Sequence, residues 1–143
     1  MDIEKHGHGR YAISSGYLVS LSEQAFERGM NVTSLLHNSG LETSVLLRQD
    51  VSIGHESFLT AIANFHNMDG NLWSALEGGR RMTLSKHGYL GYAAQHSRNL
   101  LEAADKLYRY VSTRVDFISL QRGGREDRAE VLILPRIEES PAL

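Results

Sequence analysis

Cysteine is missing altogether from the 143 residues. Its absence rules out disulfides, thiolate nucleophiles and every zinc site that needs sulfur, and it fits a reducing compartment, so the cytoplasm is the expected location. A surplus of charge is missing too: 15 basic against 17 acidic side chains leave a formal net charge of -2. The chain as a whole therefore has no basic field with which to hold a polyanion, and any DNA contact has to be local. Long apolar runs are also wanting. Residues 1–10 are polar and unlike a signal peptide, and no later stretch approaches the roughly 18 consecutive apolar residues of a membrane span. Neither secretion nor a membrane partner is expected.

The common enzyme templates are absent as well. His55-Glu56 lacks the second histidine of an HExxH zinc site, and neither a GxxxxGKS/T phosphate loop nor a GxSxG nucleophile elbow occurs. Glu102 and Asp105 fall among cationic neighbours on a polar helix face, where carboxylates keep ordinary properties. No catalytic residue, metal ligand set or cofactor is assigned, and the chain is not read as an enzyme.

What is present suffices for one core, since 41% hydrophobic and 22% charged residues suit a single domain. Glycine- and histidine-rich residues 4–10 suggest a mobile leader, taken to extend over 1–13. One domain is expected over 14–137, and 138–143 reads as a linker-like tail. The expected fold class is α+β, with a mostly helical N-terminal two-thirds followed by a helix and a β-hairpin.

Helical spacing of Leu18, Leu21 and Ala25 predicts a first helix from about Tyr17 to Gly29, with Ser14 or Ser15 as its cap. Asn31 can cap a short helix ending at Gly40, and Thr43 can cap another through Leu47. Phe58, Leu59, Ile62 and Phe65 predict a longer amphipathic helix over 54–67, broken at Asp69-Gly70. Further helices are expected from Asn71 to Gly78-Gly79 and from Gly88 to His96. The clearest signal is Asn99 with Glu102 three residues on, opening a helix whose outer face pairs Glu102 with Lys106 and Asp105 with Arg109. Strands are expected over 115–122 and 129–135, joined by a polar loop over 123–127. Two strands alone are marginal in water. The hairpin thus needs further sheet from a second copy of the chain or from sequence beyond this one.

Seven histidines raise the question of metal binding. His55 and His66 share one helix, but eleven residues at ~1.5 Å each put them roughly 16 Å apart, too far to chelate one ion. His6-Gly7-His8 offers only a weak site in a leader. Residues 32–48 have the outline of a helix-turn-helix around Asn38-Ser39-Gly40, yet the second helix supplies only Arg48 and Gln49 for DNA, so plain packing is the simpler reading. The richest stretch is Lys86 to Ser97: Gly88, Gly91 and Ala94 allow close approach, while Tyr89, Tyr92, Gln95 and His96 carry polar tips on apolar bodies. Together with Trp73 and Tyr108 these four are the expected ligand-binding residues, set against the plainer reading of a tightly packed helix.

The run Gly88-Tyr89-Leu90-Gly91-Tyr92-Ala93-Ala94, the helix start at Ser97-Arg98-Asn99-Leu100-Leu101-Glu102, the helix end at Tyr108-Arg109-Tyr110-Val111 and the following hairpin resemble the arabinose-binding-type N-terminal domain of AraC-type transcription regulators. The branch resembled is the one that includes ornithine-utilisation regulators. Leu35-Leu36-His37-Asn38-Ser39-Gly40-Leu41 resembles that family's early helix, and the likeness covers about 17–135. It implies a domain that binds a small-molecule effector and forms homodimers, with DNA bound only through a separate C-terminal domain that this chain does not contain. Two alternatives stand beside it: a ligand-free structural interaction domain, and a haem- or gas-sensing domain built on His55 or His66. An enclosed cavity near Trp73, Tyr89, Tyr92 and Tyr108 would favour the sensor, and a solid core the structural domain.

Overall fold

A computed structural model describes residues 11–48, 51–125 and 128–136. The chain runs through β1 (Ala12–Ser14), α1 (Ser15–Glu27), α2 (Val32–Leu35), β2 (Ser52–Gly54), α3 (His55–Asp69), α4 (Ser74–Arg81), α5 (Tyr89–Gln95), α6 (Leu100–Tyr110), β3 (Ile118–Arg125) and β4 (Arg128–Pro135). Helices fill the first two-thirds and a hairpin closes the sequence, an α+β fold.

The first strand begins within the span expected to be a leader, and it and β2 are two short strands that the pattern does not predict. β1 pairs antiparallel with β2, Ile13 opposite Ile53, and on its other edge Ile13 bridges Val115. Ser14 N–H donates to the Arg114 carbonyl at 2.8 Å, and Asp116 N–H to that of Ala12 at 3.1 Å. A three-residue strand carries no readable alternation; distant partners fix it. Through this ribbon the base of the hairpin is tied to the helical body, and Ile13, Leu18, Leu36, Val45, Ile53, Ala61 and Val115 form the main core around it. Ala25, Leu35 and Phe65 form a second, smaller cluster.

Local chemistry sets most helix ends as expected. Asn31 and Asn99 accept from the N–H groups of Thr33 and Glu102, at 2.8 and 2.9 Å, satisfying donors that the first turn leaves free. Gly70 ends α3 in the left-handed region at φ 65°. The start of α4 differs: Asn71 Oδ1 accepts from Trp73 N–H at 3.0 Å, an Asx turn that holds 71–73 out of the helix. Once begun at Ser74, the helix passes through Gly78 and Gly79 to Arg81. The helix-turn-helix outline is not realised, because α2 is four residues long and Thr43–Leu47 is a five-residue 3₁₀ turn. Neither can serve as a groove-reading helix.

The hairpin is longer and tighter than expected. Pairing runs from Ile118 opposite Pro135 out to Arg125 opposite Arg128, so the glycines that suggest a loop belong to the ladder. β3 begins only at Ile118, since Val115 is taken by the bridge to β1. Asp105 of α6 meets Arg122 of β3 at 3.5 Å, a partner across the packing rather than the expected Arg109 on its own helix. His6 and His8 lie outside the described residues. Among the described residues no helix is long and apolar enough to cross a membrane.

Candidate functional site

Three helices turn one stripe each toward a common space. From α1 come Tyr17, Ser20, Leu21 and Gln24; from α3, Phe58, Ile62, Phe65 and His66; from α4, Ala75, Gly78, Gly79 and Met82. Each set follows the i, i+3 or i+4, i+7 spacing of one helix face. Such stripes usually interdigitate, yet here they leave a space of about 570 Å³, bounded at its ends by Ile13 of β1 and by Asn71 and Leu72 of the α3–α4 connection and open to solvent along the exposed Ile62, Leu72 and Ala75. That volume lies within the roughly 300–1,000 Å³ typical of small-molecule sites.

Charge rather than apolar packing holds α4 over this space. Arg28, at the C-terminal cap of α1, reaches Asp69 Oδ1 at 2.5 Å and Glu77 Oε2 at 2.6 Å. Arg81 pairs with Glu27, and Gln24 Nε2 donates to the Ser74 carbonyl at 2.9 Å. The Ser74 hydroxyl donates to Asp69, which, ahead of the Arg28 charge, holds that carboxyl below its ordinary range. Meanwhile Leu72, Trp73 and Leu76 remain exposed. An element clamped at its rim and unfilled beneath can shift when the space fills.

Behind the cavity Tyr17 links it to the start of α5. Its hydroxyl is 2.8 Å from His87 Nδ1, and the Arg114 guanidinium stands 5.9 Å from its ring centre. Burial raises the Tyr17 phenol above its ordinary value against the opposing pull of Arg114. Burial lowers His87, and the nearby Arg114 charge lowers it further. Both groups are therefore neutral near pH 7. Arg114 Nε is buried without a hydrogen-bond partner among the described residues.

None of the six residues expected to bind ligand lines this cavity. Tyr89, Tyr92, Gln95 and His96 share the outer surface of α5, where Tyr89 is 93% exposed. Trp73 projects at the start of α4, 72% exposed, and Tyr108 is half-buried on α6. α5 is turned this way because its small residues face inward: a methyl on Gly91 would lie 1.6 Å from the Leu84 carbonyl oxygen. The close approach that Gly91 permits is to the chain's own backbone. The sequence pattern marks Leu21, Phe58, Ile62 and Phe65 as apolar-face positions, but not Tyr17, Ser20 and Gln24, and not the cavity between the faces. The available signal was Gly78-Gly79, read there as a helix stop.

His55 is buried against Tyr11 and Phe117, ring centres 5.6 and 6.0 Å away, a packed position with no free face for a porphyrin. His66 is exposed at the cavity rim. Among the described residues no three His, Asp or Glu side chains are grouped to hold a metal ion.

No curated protein matches the chain. A family model described as the arabinose-binding domain of AraC transcription regulator, N-term, matches residues 29–142, from the end of α1 through the hairpin, so that α3 and α4 of the cavity fall within the match and the α1 stripe precedes it. The chain belongs to this family of N-terminal regulatory domains of AraC-type transcription regulators.

Proposed function

We propose that the domain senses a small-molecule effector in the cavity between α1, α3 and α4, and joins two copies of its regulator through the hairpin. The observation that carries the first half is the cavity itself: three helical faces border unfilled space of ligand size, open on one side, beneath a helix held by ion pairs. Filling it gives α4 apolar contacts that it otherwise lacks. A ligand could thus alter the position of Leu72, Trp73 and Leu76 on the outer surface, a physical route from occupancy to altered contacts with the rest of a regulator. The chemistry is binding, not catalysis; the protein is cytoplasmic and DNA is read by a separate domain.

Thermal-shift screening against sugars, amino acids and fatty acids tests the sensor reading, since a ligand that binds only the folded state must raise the melting temperature. A compound that does so, and loses its effect when Gly79→Leu fills the cavity, supports it. A compound whose effect survives Gly79→Leu and disappears with Tyr92→Ala would move the site to the exposed α5 face of Tyr89, Tyr92, Gln95 and His96, the place favoured by their exposed aromatic rings. No shift from any compound favours a structural domain without ligand.

A further inference from the structure

We infer that the effector is an uncharged, predominantly apolar small molecule rather than a sugar; this rests on reading the α1/α3/α4 cavity as the effector site. Six polar side chains line that cavity, and five already have partners within the protein. Tyr17 meets His87, Ser20 donates to the Gly16 carbonyl, Gln24 donates to the Ser74 carbonyl, Ser74 donates to Asp69, and Asn71 accepts from Trp73. His66 remains, at the exposed rim, and so do Asn71 Nδ2 and Gln24 Oε1, since each of those amides uses only its other end. A pentose carries a hydroxyl on almost every carbon, and each one buried without a partner loses its bonds to water. The walls facing it would be Leu21, Phe58, Ile62, Phe65 and Met82, which reward apolar surface and offer a hydroxyl nothing. A few polar groups on the ligand could be met, by His66, Asn71 and Gln24, far fewer than a pentose carries.

A second observation points the same way. Glycine inside a helix is unfavourable, and α4 contains two. At Gly78 a methyl would lie 2.6 Å from Gln24 Oε1, so packing accounts for it. At Gly79 nothing lies within 4 Å and the backbone is ordinary, yet the residue lines the cavity. A larger side chain there meets no steric bar from the protein, which makes Gly79 the natural position from which to fill the space.

Binding of the neutral fluorophore N-phenylnaphthylamine and of L-arabinose to this chain tests the inference, with Gly79→Leu and Ala75→Leu as cavity-filling variants and Ile133→Glu as a control for adsorption on the hairpin. The expected result is saturable fluorophore binding that arabinose does not displace. Either filling variant should weaken it about tenfold or more, equivalent to ~1.4 kcal/mol, and Ile133→Glu should leave it unchanged. Arabinose binding that is lost in both filling variants, without fluorophore binding, would overturn the apolar class while leaving the sensor reading intact. Fluorophore binding abolished only by Ile133→Glu would overturn the class as well. If neither probe binds, both the class and the cavity as effector site fall.

Discussion

At the scale of single residues, His87 and Gly91 carry the sharpest consequences. Burial and the Arg114 charge hold His87 below the ordinary 6.5, so between its folded value and 6.5 the unfolded chain binds more protons than the folded one. Stability therefore rises with pH across that window and is lost as pH falls through it. The urea midpoint should drop between pH ~7.5 and ~5.5, and His87→Gln should flatten the drop; an unchanged slope in the variant would assign the titration elsewhere. Glu102 acts at lower pH: hydrogen bonds from the Arg98 side chain and backbone, with help from Lys106, hold it down at about 2. Its contribution is present above the ordinary 4.5 and fades toward that low value. Gly91→Ala forces the Leu84 backbone to move and should cost roughly 1–3 kcal/mol or more in urea unfolding. A cost near zero would show that the 3₁₀ turn before α5 yields freely.

At the scale of elements, what was legible in the sequence is what is decided locally. The caps at Asn31 and Asn99 join a side-chain oxygen to an N–H within three residues, and Gly70 ends α3 by its own left-handed backbone. The polar and apolar faces of α6 were equally readable: Leu107 is half-buried and Arg109 exposed. No residue of α6 is fully buried, however. Leu107→Ala should accordingly cost about 1–2 kcal/mol, below the ~2–5 of a fully buried leucine, and Arg109→Ala well under ~1. Equal costs would mean that the helix is rotated from the face described. β1 was illegible because Val115 and Ile53, far away in sequence, make it a strand. The cavity was illegible for a related reason: a stripe such as Phe58, Ile62 and Phe65 says that a face meets protein, but not whether the opposite face reaches it. The expected site at Tyr89 and Tyr92 followed from aromatic composition, which carries no information on which way α5 turns.

At the scale of the whole molecule, the hairpin is the unfinished part. β3 and β4 form a two-stranded sheet, and Val131 and Ile133 on one face and Leu132 and Leu134 on the other are all substantially exposed, Ile133 at 66%. A second copy related by a two-fold axis is the commonest way to cover such a surface. Light scattering should give a dimer for the wild type and a folded monomer for Ile133→Glu; a wild type that is monomeric at high micromolar concentration would contradict pairing through this sheet.

Whether an effector occupies the space between α1, α3 and α4 is decided by methyl NMR at saturation with whichever compound raises the melting temperature. Signals of Ile13, Leu21, Ile62, Ala75 and Met82 should move together while those of Val131 and Ile133 stay in place. Movement confined to Leu90, Ala93 and Ala94, with Ile62 and Met82 unaffected, would contradict it.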